Sequence, residues 1–164
     1  MKKNFIIICF LFLLIINLGI AKDVYILDFT KETPLGNLIY EISKGARIER
    51  EDSKFHLALI RPESFLKIYT PVTKELLPIK VILKLVVMNP YIPYIESFTP
   101  ISILVNDKIV VRGWDLGSNS YISPSFDITS HWIKGETNKI EIKLDNDASG
   151  ELWIRYIEIT TYDR

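Results

Sequence analysis

Apolar and polar residues alternate with a period of two along much of this chain, which is the signature of strands with one buried face. The alternation is cleanest between Ile101 and Ile159. Ile101, Ile103 and Val105 lead into Asn106-Asp107, a pair that tolerates left-handed backbone and so predicts a hairpin turn before Ile109, Val110 and Val111. Phe126 and Ile128 predict a short strand whose other face carries Asp127 and Thr129. Ser130 is placed to cap a helical turn over His131-Trp132-Ile133-Lys134, ended by Gly135. Asn138–Leu144 and Leu152–Ile159 read as two more strands. In the second, Leu152, Ile154, Tyr156 and Glu158 fall on one face, and Trp153, Arg155, Ile157 and Ile159 on the other.

The N-terminal half gives a similar pattern. Val24–Phe29, Phe55–Ile60, Phe65–Tyr69 and Ile79–Met88 are predicted strands. The last is apolar on both faces in its second half, which predicts a central strand with a covered end. Between the first two strands, Thr33-Pro34 suits a helix start, Leu35, Leu38, Ile39, Ile42 and Ala46 recur at helical spacing, and Gly45 offers a stop. A short surface helix over Pro34–Lys44 is expected there. Arg47–Asp52 mixes charges of both signs and reads as a solvated strand end or loop. Asn89–Tyr94 is a proline-spaced aromatic connection that includes Tyr91 and Tyr94.

The first residues depart from this alternation. Lys2 and Lys3 precede an almost wholly apolar run, Phe5 to Leu18, and Gly19-Ile20-Ala21 supplies the small residues that a signal peptidase reads. The run is shorter than the roughly 20 apolar residues of a membrane span. The expectation is a cleaved signal peptide over residues 1–21, a single domain over residues 22–164, a secreted or periplasmic location, and no stable membrane span in the mature chain. The only cysteine, Cys9, lies inside that run, so a mature chain would have neither a disulfide nor a thiol nucleophile.

Charge and candidate chemistry narrow the function by exclusion. The chain carries 20 basic and 20 acidic residues, with no basic stripe to neutralise phosphates, so no nucleic-acid partner is expected. His56 and His131 are the only histidines and form no paired spacing, so each reads as an ordinary surface or half-buried side chain. The chain has no GxSxG elbow and no phosphate-cradling glycine loop, and nothing singles out two carboxylates as an acid/base pair. A non-catalytic protein is expected. One oxygen-rich stretch, Asp145 to Glu151, places Asp145, Asp147 and Ser149 at the alternate positions of a calcium loop. A plain turn between strands would use the same residues.

The motifs of the C-terminal half carry a resemblance. Val105-Asn106-Asp107, Phe126-Asp127-Ile128-Thr129 and Lys134-Gly135-Glu136-Thr137-Asn138 resemble the "VNG", "FDIT" and "KGxN" positions of the galactose-binding-domain-like β-sandwich, as found in the sugar-binding domain of family 2 glycoside hydrolases. One residue is inserted between the Gly-Glu and the Asn. The Gly150–Ile159 ending resembles that of family 6 and 35 carbohydrate-binding modules, with Arg155 where those have Asp and Trp153 where a sugar-contacting Asn stands. The resemblance covers about sixty residues of framework. It implies a mainly β, jelly-roll sandwich with one or two short helices, and a binding module that often carries calcium.

Aromatic side chains offer the functional lead. A sugar ring packs its C–H groups on a Trp or Tyr face while nearby polar groups bond its hydroxyls. The stretch from Arg112 to Tyr121 combines Trp114 and Tyr121 with Arg112, Asp115 and Asn119, and these five are the candidate ligand-binding residues. Trp114 closing the core and Tyr121 packing on a strand is the competing reading, and Trp132 and Trp153, within framework motifs, are expected in the core. The leading expectation is an exported, non-catalytic carbohydrate-binding module. The alternative is a protein-interaction subunit of an exported or cell-surface assembly.

Overall fold

A computed structural model describes residues 20–72, 78–90, 98–117 and 119–163. Residues 1–19 of the expected signal peptide, and Tyr91 and Tyr94, lie outside the described residues. Among those described there are twelve strands: β1 (Ile20–Asp28), β2 (Leu35–Gly36), β3 (Ile39–Ile42), β4 (Ala46–Glu51), β5 (Lys54–Leu59), β6 (Phe65–Tyr69), β7 (Lys80–Met88), β8 (Pro100–Val105), β9 (Lys108–Asp115), β10 (Ser125–Asp127), β11 (Lys139–Leu144) and β12 (Leu152–Asp163). They form two antiparallel sheets. The first runs β10-β7-β12-β1-β2, with β5 joined to β12 and β4 joined to β5; the second runs β3-β6-β11-β8-β9. The two sheets enclose one core, in which Leu27, Leu57, Leu66, Ile68, Leu83, Leu85, Ile101, Ile103, Ile140, Ile142, Ile154 and Ile157 are all buried.

The strands obey the alternation. Val81, Leu83, Leu85 and Val87 point into the core, and β7 lies between β10 and β12 as a central strand. Its covered end includes buried Met88 and a bridge from Val87 to Ile122. The β8–β9 turn is built as expected, with Asn106 at φ 50° and Asp107 at φ 65°, the left-handed pair of a tight hairpin.

Framework motifs lock onto one another through side chains. Asn106 donates from Nδ2 to the His131 carbonyl and to Asn138 Oδ1, both at 2.8 Å, and its Oδ1 accepts the Lys139 N–H. Asn138 is fully buried and returns bonds to the Ile133 and Glu136 carbonyls. Asp127 accepts from both the N–H and the hydroxyl of Thr129, which holds its carboxyl below the ordinary carboxylate range. Thr129 Oγ1 in turn accepts the Val81 N–H at 2.8 Å, tying this turn to β7.

Three expectations are corrected. Residues 34–44 are not helical. Leu35–Gly36 pairs with β1, Ile39–Ile42 pairs with β6, and the Asn37 side chain bonds the backbone of Val24 and Ile26. Leu38 is buried and Ile42 and Ala46 pack against the core, but Leu35 and Ile39 are 54% and 73% exposed, so the stripe is split between two faces, and edge pairing prevailed over propensity. Gly36, at φ 150°, passes so close to β1 that a Cβ would sit 2.0 Å from the Ile26 carbonyl oxygen. The helical turn is a 3-10 turn at Thr129–His131 that follows Ile128, and Ser130 does not cap it. Arg47–Asp52 is mostly strand, since β4 pairs with β5 along its whole length.

The faces of β12 also differ from the simple alternation. Leu152 and Ile154 are buried, and so are Ile157 and Ile159. A bulge between Ile154 and Tyr156 inserts Arg155 and reverses the phase, so both halves of the strand turn their aliphatic side chains inward.

Candidate functional site

The outer face of the five-stranded sheet is set by register. Opposite core-facing Ile103 and Ile142, the pairs Ser102–Lys143 and Leu104–Glu141 point outward. Leu104 pairs with Ile109 on β9, and Lys143 and Glu141 pair with Phe65 and Lys67 on β6. Between Ile101 and Ile103 the β8–β9 ladder has an irregularity, with Ile101 opposite Trp114 and Ile103 opposite Val111. Arg112 and Gly113 (φ 60°) stand opposite the single Ser102, and this one extra residue lets β9 turn Trp114 inward while Arg112 stays exposed.

A groove of about 480 Å³ lies on this face, lined by Ser102, Leu104, Ile109, Arg112, Glu141, Lys143, Asp145 and Asn146. Its floor is apolar, from Leu104 and Ile109, and its rim carries charges of both signs. Lys143 is held by Glu63 at 3.3 Å. Next to the groove the Lys67 ammonium stands 4.1 Å above the Phe65 ring. The arrangement offers separated donors and acceptors around an apolar floor, which suits a neutral ligand bearing many hydroxyls.

The outer face of the seven-stranded sheet is built differently. Trp153 pairs with Ala58, whose small side chain leaves room for the diagonal neighbour His56. The His56 and Trp153 rings stack with centroids 3.9 Å apart and planes 20° from parallel. His56 is 1% exposed, and neither ring nitrogen has a hydrogen-bond partner among the described residues. Burial pushes its pKa down, against a smaller upward pull from Glu49, whose Oε2 lies 3.8 Å from Nε2. Trp153 donates to Glu151 at 2.8 Å. Beside this pair the Arg155 guanidinium sits 3.8 Å above the Tyr121 ring and donates to Glu51 at 3.0 Å. The Tyr121 hydroxyl and Arg155 Nε are buried without hydrogen-bond partners among the described residues. Burial, opposed by Arg155 and assisted by Glu51, pushes the Tyr121 pKa up to about 12.

These placements separate the five candidate ligand-binding residues. Arg112 lies in the groove. Trp114 is half-buried, edge-to-face with Phe126 at 5.4 Å. Asp115 accepts the Thr99 and Gly117 N–H groups and shapes the connection after β9. Asn119 is exposed, and Tyr121 lies with Arg155 on the other sheet. Trp132 is in the core as expected, whereas Trp153 is half-buried on the outer side, which corrects its core assignment. His56 is not the surface or half-buried residue expected; Trp153 and its neighbours enclose it. The signal that would have found the His56–Trp153 pair is the small Ala58 opposite a tryptophan, which is visible only once the β5–β12 register is known.

Asp145, Asp147 and Ser149 form a turn rather than a visible cage. The Asp145 carbonyl accepts the Ala148 N–H, the Ser149 hydroxyl accepts the Phe98 N–H at 3.1 Å, and Asp147 is exposed. Among the described residues, no three His, Cys, Asp or Glu side chains stand close enough together to hold a metal. No helix among them is long and apolar enough to cross a membrane.

Two antiparallel sheets with these connections define a galactose-binding-like β-sandwich. Solved structures carry the same architecture at low sequence identity. A family 35 carbohydrate-binding module from Clostridium thermocellum matches with 14% identity and a TM-score of 0.53, over 84% of this chain and 98% of that one. A xylan-binding family 22 module from Paenibacillus barcinonensis matches with 10% identity and a TM-score of 0.54, over 89% and 97%. The K1 cleaved adhesin domain of Lys-gingipain from Porphyromonas gingivalis matches with 10% identity and a TM-score of 0.57, over 84% and 98%. No family model and no curated protein matches the chain.

Proposed function

We propose that this protein is an exported, non-catalytic module that binds a neutral carbohydrate in the groove between Arg112 and Lys143. The observation that carries the reading is the groove itself. Its volume suits one or two sugar rings, its floor is aliphatic, and its rim sets Arg112 and Asn146 among Glu141 and Asp145. Arg112 is exposed and makes no ion pair among the described residues, so it can bond sugar hydroxyls, while the carboxylates accept from them. The carbohydrate-binding modules among the structural neighbours support a binding role on this fold, and the N-terminal apolar run supports export.

The test is a glycan array probed with the purified chain, with and without calcium, beside Arg112→Ala and Glu141→Gln. Binding that falls in both variants supports the groove, and dependence on calcium directs attention to Asp145, Asp147 and Ser149. Binding that survives both variants and is lost on replacing Trp114 or Tyr121 moves the site to the aromatic connection. A folded protein that binds no glycan overturns the carbohydrate reading in favour of a protein partner.

A further inference from the structure

Beyond the sugar-binding reading, His56 occupies a position that its chemistry does not suit at every pH. A neutral imidazole buried with both nitrogens unbonded already costs hydrogen-bonding free energy. A charged one there would cost far more unless it gained an acceptor. Among the described residues the carboxylate facing it is Glu49, whose Oε2 lies at 3.8 Å, beyond hydrogen-bonding distance. Closing that gap means sliding the ring off Trp153, on which it stacks at 3.9 Å, or drawing Glu49 away from Arg47, which bonds it.

The charges around His56 come from each element packed on it. From β4 there are Glu49, with its partner Arg47, and Glu51. From β12 there are Arg155 and, through Trp153, Glu151. Tyr121 lies beneath Arg155, and β5 itself carries exposed Lys54. An imidazolium is pulled toward Glu49 and pushed from Arg155. Arg155 in turn is the group that holds Glu51 and covers Tyr121.

We propose that the His56–Trp153 stack is an acid-sensitive latch: protonation of His56 breaks the stack and loosens the β4–β5 hairpin from β12, while the rest of the sandwich stays folded. The neutral ring favours the stacked state. Because its folded pKa lies below the 6.5 of a free imidazole, the latch is closed above that pH and opens as pH falls through the folded value. The hairpin is the part placed to yield: among the described residues β5 pairs with β12 through Leu152–Ile154, whereas β7 and β1 hold the remainder of that strand, and opening must also loosen Leu57 and Leu59 from the core.

Tryptophan emission followed against pH tests this, with ring-proton NMR of His56 and His131 in the unaltered protein. The expected result is an emission change that is absent in Trp153→Phe and in His56→Phe, a variant that keeps an aromatic ring in the stack. In the NMR titration His56 has its midpoint below 6.5, and Glu49→Gln moves it lower still. Amide protection is lost at acid pH in residues 46–59 but retained in β7. A His56 midpoint at or above 6.5 overturns the proposal, as does an acid transition that persists in His56→Phe. If His56→Phe does not fold, the NMR midpoint decides. Uniform loss of protection, or none in residues 46–59, also overturns it.

Discussion

The two outer faces of this sandwich begin from the same alternation of side chains and end in opposite states. On the five-stranded sheet the outward residues, Ser102, Leu104, Glu141 and Lys143, stand around an open groove, and the cation Arg112 is exposed beside them. On the seven-stranded sheet the outward residues at one end of β12 are covered. His56, Trp153, Arg155 and Tyr121 form two stacked pairs that leave four kinds of polar atom, the two His56 nitrogens, the Tyr121 hydroxyl and Arg155 Nε, buried and unbonded. The difference separates binding from stability. A solvated face can hold polar groups ready for a ligand at little cost to folding. A covered face gains packing, but any polar atom within it must be bonded or else weakens the fold. Mutations on the covered face should therefore change stability, and mutations on the open one should change binding.

The largest expected effect is Trp153→Ala. Losing most of a half-buried ring removes the lid from His56 and should lower the unfolding free energy by about 2–3 kcal/mol, read as a lower urea midpoint. Arg155→Ala should cost less, about 1–2 kcal/mol, because the Glu51 bond it breaks is partly solvent-screened. Neither variant should alter glycan binding in the groove once folded. A binding loss at constant stability would end the separation of the two faces.

The ease with which each face could be read in the sequence follows the same division. The framework was legible because its signals are local: Asn106-Asp107 in a tight turn, Phe126–Thr129 anchoring to β7, and Asn138 within a few residues of the carbonyls it bonds. Residues 34–44 misled because helical spacing and edge-strand pairing compete in a short apolar segment, and only the partners β1 and β6 decide between them. The phase reversal in β12 was invisible because a single bulged residue leaves no mark in composition. Of the candidate ligand-binding residues, Arg112 shares the groove with residues of β8 and β11 that no local window joins to it. His56 looked ordinary because it lies some hundred positions from Trp153 in the chain, and sequence spacing carries no record of their stack.

A medium effect is expected on the open face. Arg112→Ala should weaken glycan affinity about tenfold, close to 1.4 kcal/mol, by removing a charged hydrogen-bond donor. Its unfolding free energy should stay within about 0.5 kcal/mol of the parent, since an exposed side chain contributes little to folding. Isothermal titration with the best array ligand and a urea melt of the same sample check both halves. A large stability loss with unchanged binding would reverse the assignment of this face.

The smallest effect, and the most specific to the covered face, is Tyr121→Phe. The hydroxyl is buried and unbonded, so its removal should be neutral or slightly stabilising at neutral pH. The effect should then grow in alkali. Burial pushes the Tyr121 pKa up to about 12 from the ordinary 10.0 of a tyrosine. Its neutral form is therefore favoured by folding, and the stability it contributes is full below pH 10.0 and lost as pH rises toward 12. Tyr121→Phe removes that loss, so the variant should resist alkaline unfolding better than the parent, and phenolate absorbance should show one fewer late-titrating tyrosine. Equal alkaline unfolding of parent and variant would mean that Tyr121 is solvated rather than sealed beneath Arg155, and the contrast between the two faces would lose its clearest case.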